Sequence, residues 1–395
     1  MKLPSLKNLF TQVSKEPLLG WAQLAHQKVR SCVAMAGIAF ADILIFTQLG
    51  FNASLFNGVT RVHEHLKGDL FLQSNRAEFL ADGQTFSRNH LYQADAVEGV
   101  ESVSPFYYAY GKWVNPWDKK IVNVAIMAFN PARPVMDLPE VNQQLEKLKL
   151  PDTVLFDSQS QPDFGPVAET LAKGEMVTTE LSDRRVKVDG IFALGSTLFT
   201  EGHIVTSDWN YLRLFGEDSI DKVRVGVIKL EPGADLQTVQ RAIDSHLPND
   251  VKVMNREEFL QSEKGYWDKH PAGVIFNFGV AMGFIVGVVI VYQVLYSDVN
   301  DHLAEYATLK AMGYSDLQLL AVVFQEGTIL AVLGFFPGFA SSIGIYSLLG
   351  SLTRIPIAMG GVVTLQVFAL TILMCLISAA IAMRKLQSAD PADVF

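Results

Sequence analysis

Cysteine is almost missing from this sequence of 395 residues, which has only Cys32 and Cys375. Both lie in apolar stretches, so the long region of ordinary composition between them has none. That region cannot be held together by disulfides, even in an oxidising compartment.

Charge is also scarce, at 18% of residues, and the net charge is −9. The sequence has no long basic run, which argues against nucleic acid as a partner because phosphate backbones are bound by clustered Lys and Arg. The mean hydropathy of +0.22 and the 49% content of hydrophobic residues instead favour a membrane protein.

Sequence motifs of common catalytic and metal sites are absent. There is no H-E-x-x-H, and the G-x-S-x-G elbow is missing from the serine-containing stretch LGSTLFTEG. The pair His63 and His65 lacks zinc-ligand spacing and is expected on the solvated surface. The cluster YYAYGKWVNPW is either an aromatic ligand platform or ordinary strand packing, and strand packing is favoured. We expect no catalytic residue and no metal site.

Four runs are almost free of charge and reach the roughly 20 residues needed to cross a ~30 Å hydrocarbon core. They predict four transmembrane α-helices, with a large α+β extracytoplasmic domain inserted between the first and the second. The predicted segments are an interfacial amphipathic helix (1–30), transmembrane helix 1 (31–53), the α+β domain (54–271), transmembrane helix 2 (272–296), a short polar helix (297–316), transmembrane helix 3 (317–349), a short loop (350–361), transmembrane helix 4 (362–383) and a tail (384–395).

The charges before the first run set the predicted orientation. Five basic residues precede it against the single acid Glu16, so the positive-inside rule puts the N-terminus in the cytoplasm: Lys2, Lys7, Lys15, Lys28 and Arg30. An uncleaved anchor is favoured over a signal peptide because the charged region and the apolar run are both too long. An even number of spans then puts the C-terminus and the short polar helix in the cytoplasm, and the large domain and the loop 350–361 outside. The stretch around Trp21 is either an interfacial helix or an extension of the first span.

The large domain alternates strand-like and helix-like segments. Two strands are expected over 103–116 and 119–129, and one helix over 139–150, starting with Pro139. A strand pair and a short helix are expected over 184–216. Strand, helix and strand then follow over 221–254, with Asp235 as the N-cap of the helix. The alternation indicates an α+β domain.

Several residues inside the apolar runs indicate specific packing. The glycines at a spacing of four predict close helix packing or a dimer contact: Gly279, Gly283 and Gly287. Three residues of the third run predict a kink: Gly334, Pro337 and Gly338. Asp42 lies in the middle of the first run and is expected in a structural hydrogen bond rather than a proton relay, whereas Glu326 is expected as a solvated or interfacial acid.

The stretch DHLAEYATLKAMGY, residues 301–314, is a polar, helix-forming segment between two spans. Asp298 and Asp301 are expected to supply negative charge at its start, and Gly313 to end it. One side would carry four apolar residues that need a cover: Leu303, Tyr306, Ala307 and Tyr314. Patterning favours a helix that docks onto a partner or onto the membrane over an inert connector.

The segment AEYATLKAMGYS resembles the E-x-G-x-L-R-A-L-G-A segment between the second and third spans of the MacB and FtsX family of ATP-binding-cassette (ABC) permeases. Glu305, Lys310 and Gly313 fall on the acid, the basic residue and the glycine of that pattern, whereas His302 and Ala304 replace its common arginines. The layout of spans and the tail RKLQSADPADVF are also similar, and HLAEYATLKAMGY is most similar to the cyanobacterial DevC branch.

The resemblance implies a dimeric permease in the inner membrane that receives a separate ATPase (DevA-like), the chain itself having no G-x-x-x-x-G-K-[ST] loop. ATP and Mg²⁺ would be bound by that ATPase, and residues 297–316 would be its coupling helix, with Glu305, Tyr306, Leu309, Lys310 and Gly313 as coupling residues. The large domain would be periplasmic. It would act with a periplasmic adaptor (DevB-like) and a TolC-like outer-membrane duct in the export of a glycolipid. The alternatives are an FtsX-like mechanotransmitter that regulates a cell-wall hydrolase and a membrane-anchored enzyme.

Overall fold

The computed structural model describes residues 28–353, 357 and 359–388. The predicted amphipathic segment around Trp21 and most of the predicted tail lie outside the described residues. Two compact units are formed. One is a membrane unit from the residues up to 52, 275–348 and 357 onward, and the other is a large domain mainly from Ala53–Val274.

Helices and strands alternate in the large domain, and long helices dominate the membrane unit. The α-helices of the described residues are α1 (Lys28–His65), α2 (Asn89–Asp95), α3 (Pro139–Asn142), α4 (Leu145–Leu148), α5 (Val167–Ala172), α6 (Asp208–Phe215), α7 (Leu236–His246), α8 (Arg256–Lys269), α9 (Pro271–Asp301), α10 (Leu303–Ala311), α11 (Asp316–Thr353) and α12 (Gly361–Ser388). The strands are β1 (Leu70–Ser74), β2 (Phe86–Ser87), β3 (Val100–Val114), β4 (Ile121–Phe129), β5 (Thr153–Asp157), β6 (Val177–Leu181), β7 (Arg184–Phe192), β8 (His203–Ser207), β9 (Lys222–Val223), β10 (Val225–Leu230) and β11 (Val251–Asn255).

Four of the described helices, α1, α9, α11 and α12, are long and apolar enough to cross a membrane. The large domain lies between the first and the second of them and combines a sheet with short helices. The predicted fold class is therefore confirmed. The helices run past the predicted spans, since α1 continues to His65 and α9 to Asp301.

The sheet of the large domain has nine strands in the order β11-β1-β10-β3-β4-β8-β5-β7-β6. The pairs β4–β8 and β5–β7 are parallel and the other neighbouring pairs are antiparallel. The 15-residue strand β3 pairs with β10 along its first half, with β4 along its second half and with β6 at its end. Strand β3, the fourth in this order, therefore also pairs with the last strand, β6.

Both faces of this sheet are buried. Side chains alternate across a strand, so successive residues of β4 belong to two different apolar clusters. One cluster contains Val122, Val124, Ile126 and Ala128, and the other contains Ala125, Met127 and Phe129. Burying each large apolar side chain contributes about 1.5–3 kcal/mol, so the two clusters hold the domain without disulfides.

Some of the local predictions for the large domain agree with the structure and others are wrong. Strands β3 and β4 and the strand, helix, strand order of β10, α7 and β11 agree with the prediction, and Asp235 accepts a hydrogen bond from the Thr238 amide as the N-cap of α7. The helix expected over 139–150 is instead two four-residue helices, α3 and α4. The expected strand pair β7 and β8 is wrong, because β5 lies between them.

Glycines bring the helices of the membrane unit into close contact. A Cβ atom at Gly279 would meet Gln48, one at Gly283 would meet Ile45, and one at Gly287 would meet Ala41 and Met374. The predicted close packing of this glycine row is therefore made with α1 and α12 of the same chain. Gly283 and Gly287 are buried in this contact and Gly279 is half-buried, and a dimer contact of the row remains a prediction.

The third long helix, α11, contains Gly334, Pro337 and Gly338 inside one uninterrupted helix. Cβ atoms at the two glycines would meet Ile38 and the backbone of Ala39, so they allow α1 to approach. The predicted kink remains a prediction.

Asp42 of α1 is fully buried beside this contact. The Thr371 hydroxyl of α12 lies 2.6 Å from its Oδ1 atom, which is the expected structural hydrogen bond.

Candidate functional site

The short helix α10 is defined at its C-terminus by Gly313. Gly313 has φ +99°, a left-handed conformation that a residue with a Cβ atom rarely adopts. The Gly313 amide donates to the Lys310 carbonyl (3.0 Å) and the Tyr314 amide to the Leu309 carbonyl (3.1 Å). These two bonds form a Schellman motif, which satisfies the last carbonyls of the helix. The predicted C-terminal stop at Gly313 is confirmed.

The next helix starts immediately after this stop. The Ser315 amide donates to the Gln318 side chain over 2.8 Å, and the Ser315 hydroxyl lies 3.0 Å from the same oxygen. This contact fixes the first turn of α11, as in a capping box. The connection between α10 and α11 is thus short and hydrogen-bonded at both ends.

The apolar side of α10 is covered by the chain itself. Tyr306 is 1% exposed and Ala307 is also buried, and they pack in the membrane unit with Leu303 and Leu309 half-buried beside them. Only Tyr314 of the predicted apolar side is exposed. This side therefore anchors α10, and a partner would have to bind elsewhere on the helix.

The opposite side of α10 and its C-terminal turn face outward. Ala304, Glu305 and Thr308 are exposed on the helix, and Met312 (65% exposed) and Tyr314 follow it. We call these five residues the exposed face of α10. It carries one acid and two large apolar side chains, which is a composition suited to a protein contact. Of the other predicted coupling residues, Lys310 is half-buried.

A polar cluster holds the base of α10. Arg30 of α1 donates to the Ser297 hydroxyl (2.8 Å) and pairs with Asp301 (2.5 Å) and Asp298 (3.6 Å) at the end of α9. His302 Nδ1, at the start of α10, lies 3.1 Å from Glu305. We call Arg30, Asp298, Asp301, His302 and Glu326 the polar anchor. Glu326 brings α11 into it.

Two expectations about these acids are wrong. Asp298 and Asp301 lie in the last turn of α9 and not at the start of α10, whose first turn contains Glu305. Glu326 is 2% exposed rather than solvated, and it lies beside Asp298.

Two helical stems of the large domain adjoin the spans, residues 53–65 of α1 and the whole of α8. They are joined by a buried pair in which His63 Nε2 lies 3.2 Å from Glu263 Oε2. Glu263 also accepts from the Leu80 amide (2.8 Å) and the Trp267 indole (2.9 Å). The expectation that His63 is solvated is wrong, because it is 1% exposed and packs on the Phe259 ring.

A loop of the large domain, residues 194–202, is fixed by buried polar groups. Asp157 is fully buried and accepts from the amides of Leu194 (3.0 Å) and Gly195 (2.8 Å). Arg61 of the first stem donates to the Leu194 carbonyl over 2.9 Å. His203 Nδ1 lies 3.4 Å from Asp157 Oδ2, so the chain places a buried Asp–His pair beneath this loop.

Sequence reasoning missed Arg30, Glu263 and Asp157. From the sequence, Arg30 is only a positive charge before a span. A basic residue at the start of one helix can pair with two acids at the end of another helix, and this becomes a usable signal once the two helices are known to be neighbours. Glu263 and Asp157 have no such signal. Their partners are 200 and 46 positions away, at His63 and His203.

The described residues contain no group of three or more His, Cys, Asp or Glu side chains that could hold a metal ion. The described residues do show a short helix between two long ones, with one buried side and one exposed face.

Comparison with protein families finds a match in the second half of the membrane unit. Residues 277–391 match the family model described as FtsX-like permease, C-terminal. The matched region includes most of α9, all of α10 and α11, and α12. The exposed face of α10 and most of the polar anchor therefore lie within the region that matches this model. No curated protein matches the chain.

Three solved structures are similar to the large domain. The periplasmic region of MacB from Actinobacillus actinomycetemcomitans is 10% identical, with a TM-score of 0.34, and the match covers 50% of this chain and 94% of that one. The extracellular domain of the noncanonical ABC-type transporter YknZ from Gram-positive bacteria is 14% identical (TM-score 0.32; 48% and 99% covered). A domain of a putative permease protein from Porphyromonas gingivalis is also 14% identical (0.32; 49% and 93%). Likenesses this distant assign no activity.

Proposed function

We propose that the chain is the permease subunit of an ABC exporter and that α10 is its coupling helix. The observation that carries the proposal is the exposed face of α10 on a helix whose other side is buried, within a region that matches the FtsX-like permease model. The helix is short, is ended by a Schellman motif and is tied to α1, α9 and α11 through the polar anchor. A push on its exposed face would therefore reach three membrane-spanning helices at once.

In this proposal the ATPase is a separate, DevA-like protein that binds ATP and Mg²⁺ in the cytoplasm. The chain lies in the inner membrane with both termini in the cytoplasm, and works as a homodimer. The large domain lies in the periplasm and transmits motion to a DevB-like adaptor and a TolC-like outer-membrane duct. The cargo class is a glycolipid. The stems support mechanical transmission, because buried pairs join them to each other and to the sheet domain.

A second candidate is an FtsX-like mechanotransmitter, in which the same movement activates a cell-wall hydrolase instead of exporting a lipid. The match to an FtsX-like permease model supports it equally. The two candidates share the ATPase and differ in what the large domain binds.

The test is the charge reversal Glu305→Lys on the exposed face. The chain is purified from its native membranes with its associated proteins, and vanadate-sensitive ATP hydrolysis is measured. We expect the wild-type preparation to contain an ABC ATPase. We expect Glu305→Lys to lower the bound ATPase at least about tenfold, since ~1.4 kcal/mol of lost contact energy has that effect.

Two further variants make the result specific. Met312→Glu changes the same face without touching the contact between His302 and Glu305, and should have a similar effect. Glu98→Lys reverses an exposed acid of the large domain and should behave as wild type. Wild-type hydrolysis in Glu305→Lys and Met312→Glu, or a preparation without an ABC ATPase, would refute the proposal. Recovery of a hydrolase without an adaptor would favour the second candidate.

A further inference from the structure

We propose that loop 194–202 rests on the surface of the lipid bilayer from which the large domain rises, with the Phe199 ring at the boundary between headgroups and acyl chains. The proposed ligand is a lipid surface. The proposal needs only that α9 spans a membrane, and not that an ATPase drives the chain.

Phe199 is a large apolar side chain held in an exposed position. It is 45% exposed, and its ring stacks on that of Trp267 in α8, with a centroid distance of 4.4 Å. Tyr266 and His270 extend the same aromatic group, because their rings lie 5.3 and 4.8 Å from Trp267. We call these four residues the aromatic cluster.

Chain connectivity places the aromatic cluster at the membrane surface. Trp267 precedes Pro271, the first residue of the membrane-length helix α9, by four positions. Four residues span at most about 14 Å even when fully extended. Trp and Tyr are enriched at this level in membrane proteins, because they combine an apolar ring with a polar edge.

The exposure of Phe199 results from a fixed loop conformation. The Thr197 amide donates to the Thr200 carbonyl over 2.8 Å, and the Thr197 hydroxyl accepts from the amides of Phe199 (3.2 Å) and Thr200 (3.0 Å). Asp157 and Arg61 hold the start of the loop. The hydrogen-bonded loop therefore holds the Phe199 ring in position to contact an apolar surface. In this proposal that surface is the bilayer.

The charges beside the cluster do not favour one class of headgroup. Lys269 is exposed next to the exposed Asp268, and Glu201 is exposed at the end of the loop. We therefore expect zwitterionic phosphatidylcholine to suffice for the contact.

The test places a fluorescent probe on the loop in a full-length chain with Cys32→Ser and Cys375→Ser. Phe199→Cys is labelled with an environment-sensitive dye, and the protein is reconstituted in phosphatidylcholine nanodiscs. A second sample is reconstituted in nanodiscs of phosphatidylcholine brominated near the headgroup end of the acyl chains, because bromine quenches a nearby dye. We expect blue-shifted emission and a loss of fluorescence in the brominated lipid.

The matched control is Trp209→Cys, labelled in the same way. Trp209 is 72% exposed on α6, which follows the end of β8 opposite to His203 and loop 194–202. The dye on this control variant should show the emission typical of water and no loss of fluorescence in the brominated lipid. If the Phe199 variant does not fold, Leu198→Cys carries the dye and keeps the Phe199–Trp267 stack.

Two results would overturn the proposal. Emission typical of water without quenching would show that the loop is solvated. Blue-shifted emission without quenching by brominated lipid would show that a protein surface, and not lipid, covers Phe199.

Discussion

Asp152 adopts a left-handed backbone conformation, with φ +54°, between α4 and β5. Its carboxylate accepts hydrogen bonds from Arg213 of α6 and from Arg184 of β7. These bonds lower the pKa of Asp152 to about 2. One side chain thus ties three parts of the large domain together.

We predict that Asp152→Asn destabilises the protein in a pH-dependent way. Asn tolerates a positive φ, so the change removes the charge with little backbone strain. The lowered pKa means that the stabilisation is present above the unfolded pKa of about 3.9 and is lost as the pH falls toward about 2. The difference at pH 6 should be about 1 kcal/mol or less, because the pair is partly solvated.

Thermal unfolding of the full chain in detergent, followed by circular dichroism from pH 6 to pH 2.5, measures this difference. The wild-type and variant curves should converge at the acid end. A gap that stays constant over this range would mean that the charge of Asp152 is not the cause.

At the scale of the element, the end of α10 depends on backbone conformation and not on space. A Cβ atom at Gly313 would meet nothing within 4 Å, yet φ is +99°. Gly265 in the middle of α8 also has open space around it, but its φ lies outside the left-handed range. The two glycines therefore form a matched pair.

We predict opposite effects for alanine at these two positions. Gly313→Ala should lower stability by about 1 kcal/mol, because the left-handed conformation is costly for a residue with a Cβ atom. Gly265→Ala should raise it by about 0.5–1 kcal/mol, because alanine loses less entropy in a helix. Denaturant unfolding of the two variants and of the wild type measures both changes in the free energy of unfolding. A Gly313→Ala variant as stable as Gly265→Ala would contradict the Schellman assignment.

Elements with local signals could be predicted from the sequence. The four spans follow from apolar length, the cap of α7 from Asp235, and the end of α10 from Gly313. The polar anchor could not be predicted, because it joins Arg30 and Glu326 to the end of α9 across long separations. The same holds for the covered side of α10, since patterning shows that Tyr306 is apolar but not which helix packs on it.

At the scale of the whole molecule, the predicted orientation depends on the basic residues before the first span. Two exposed positions can test it, Trp209 in the large domain and Met312 after α10. They are separated in sequence by α9, the second membrane-length helix. They should therefore lie on opposite sides of the membrane.

We predict that Trp209→Cys reacts with a membrane-impermeant maleimide in intact spheroplasts, whereas Met312→Cys reacts only after permeabilisation. Both variants carry Cys32→Ser and Cys375→Ser. The reaction of the second variant after permeabilisation is the control for accessibility. Labelling of Met312→Cys in intact spheroplasts would reverse the orientation and exclude a cytoplasmic ATPase on α10.

The pair of His63 and Glu263 also restricts which movements the large domain can receive. Parting the stems at this level would take His63, one of its three partners, away from the buried Glu263 carboxylate, which is costly. Movement that separates the two stems therefore costs free energy, whereas a displacement common to both leaves the pair intact.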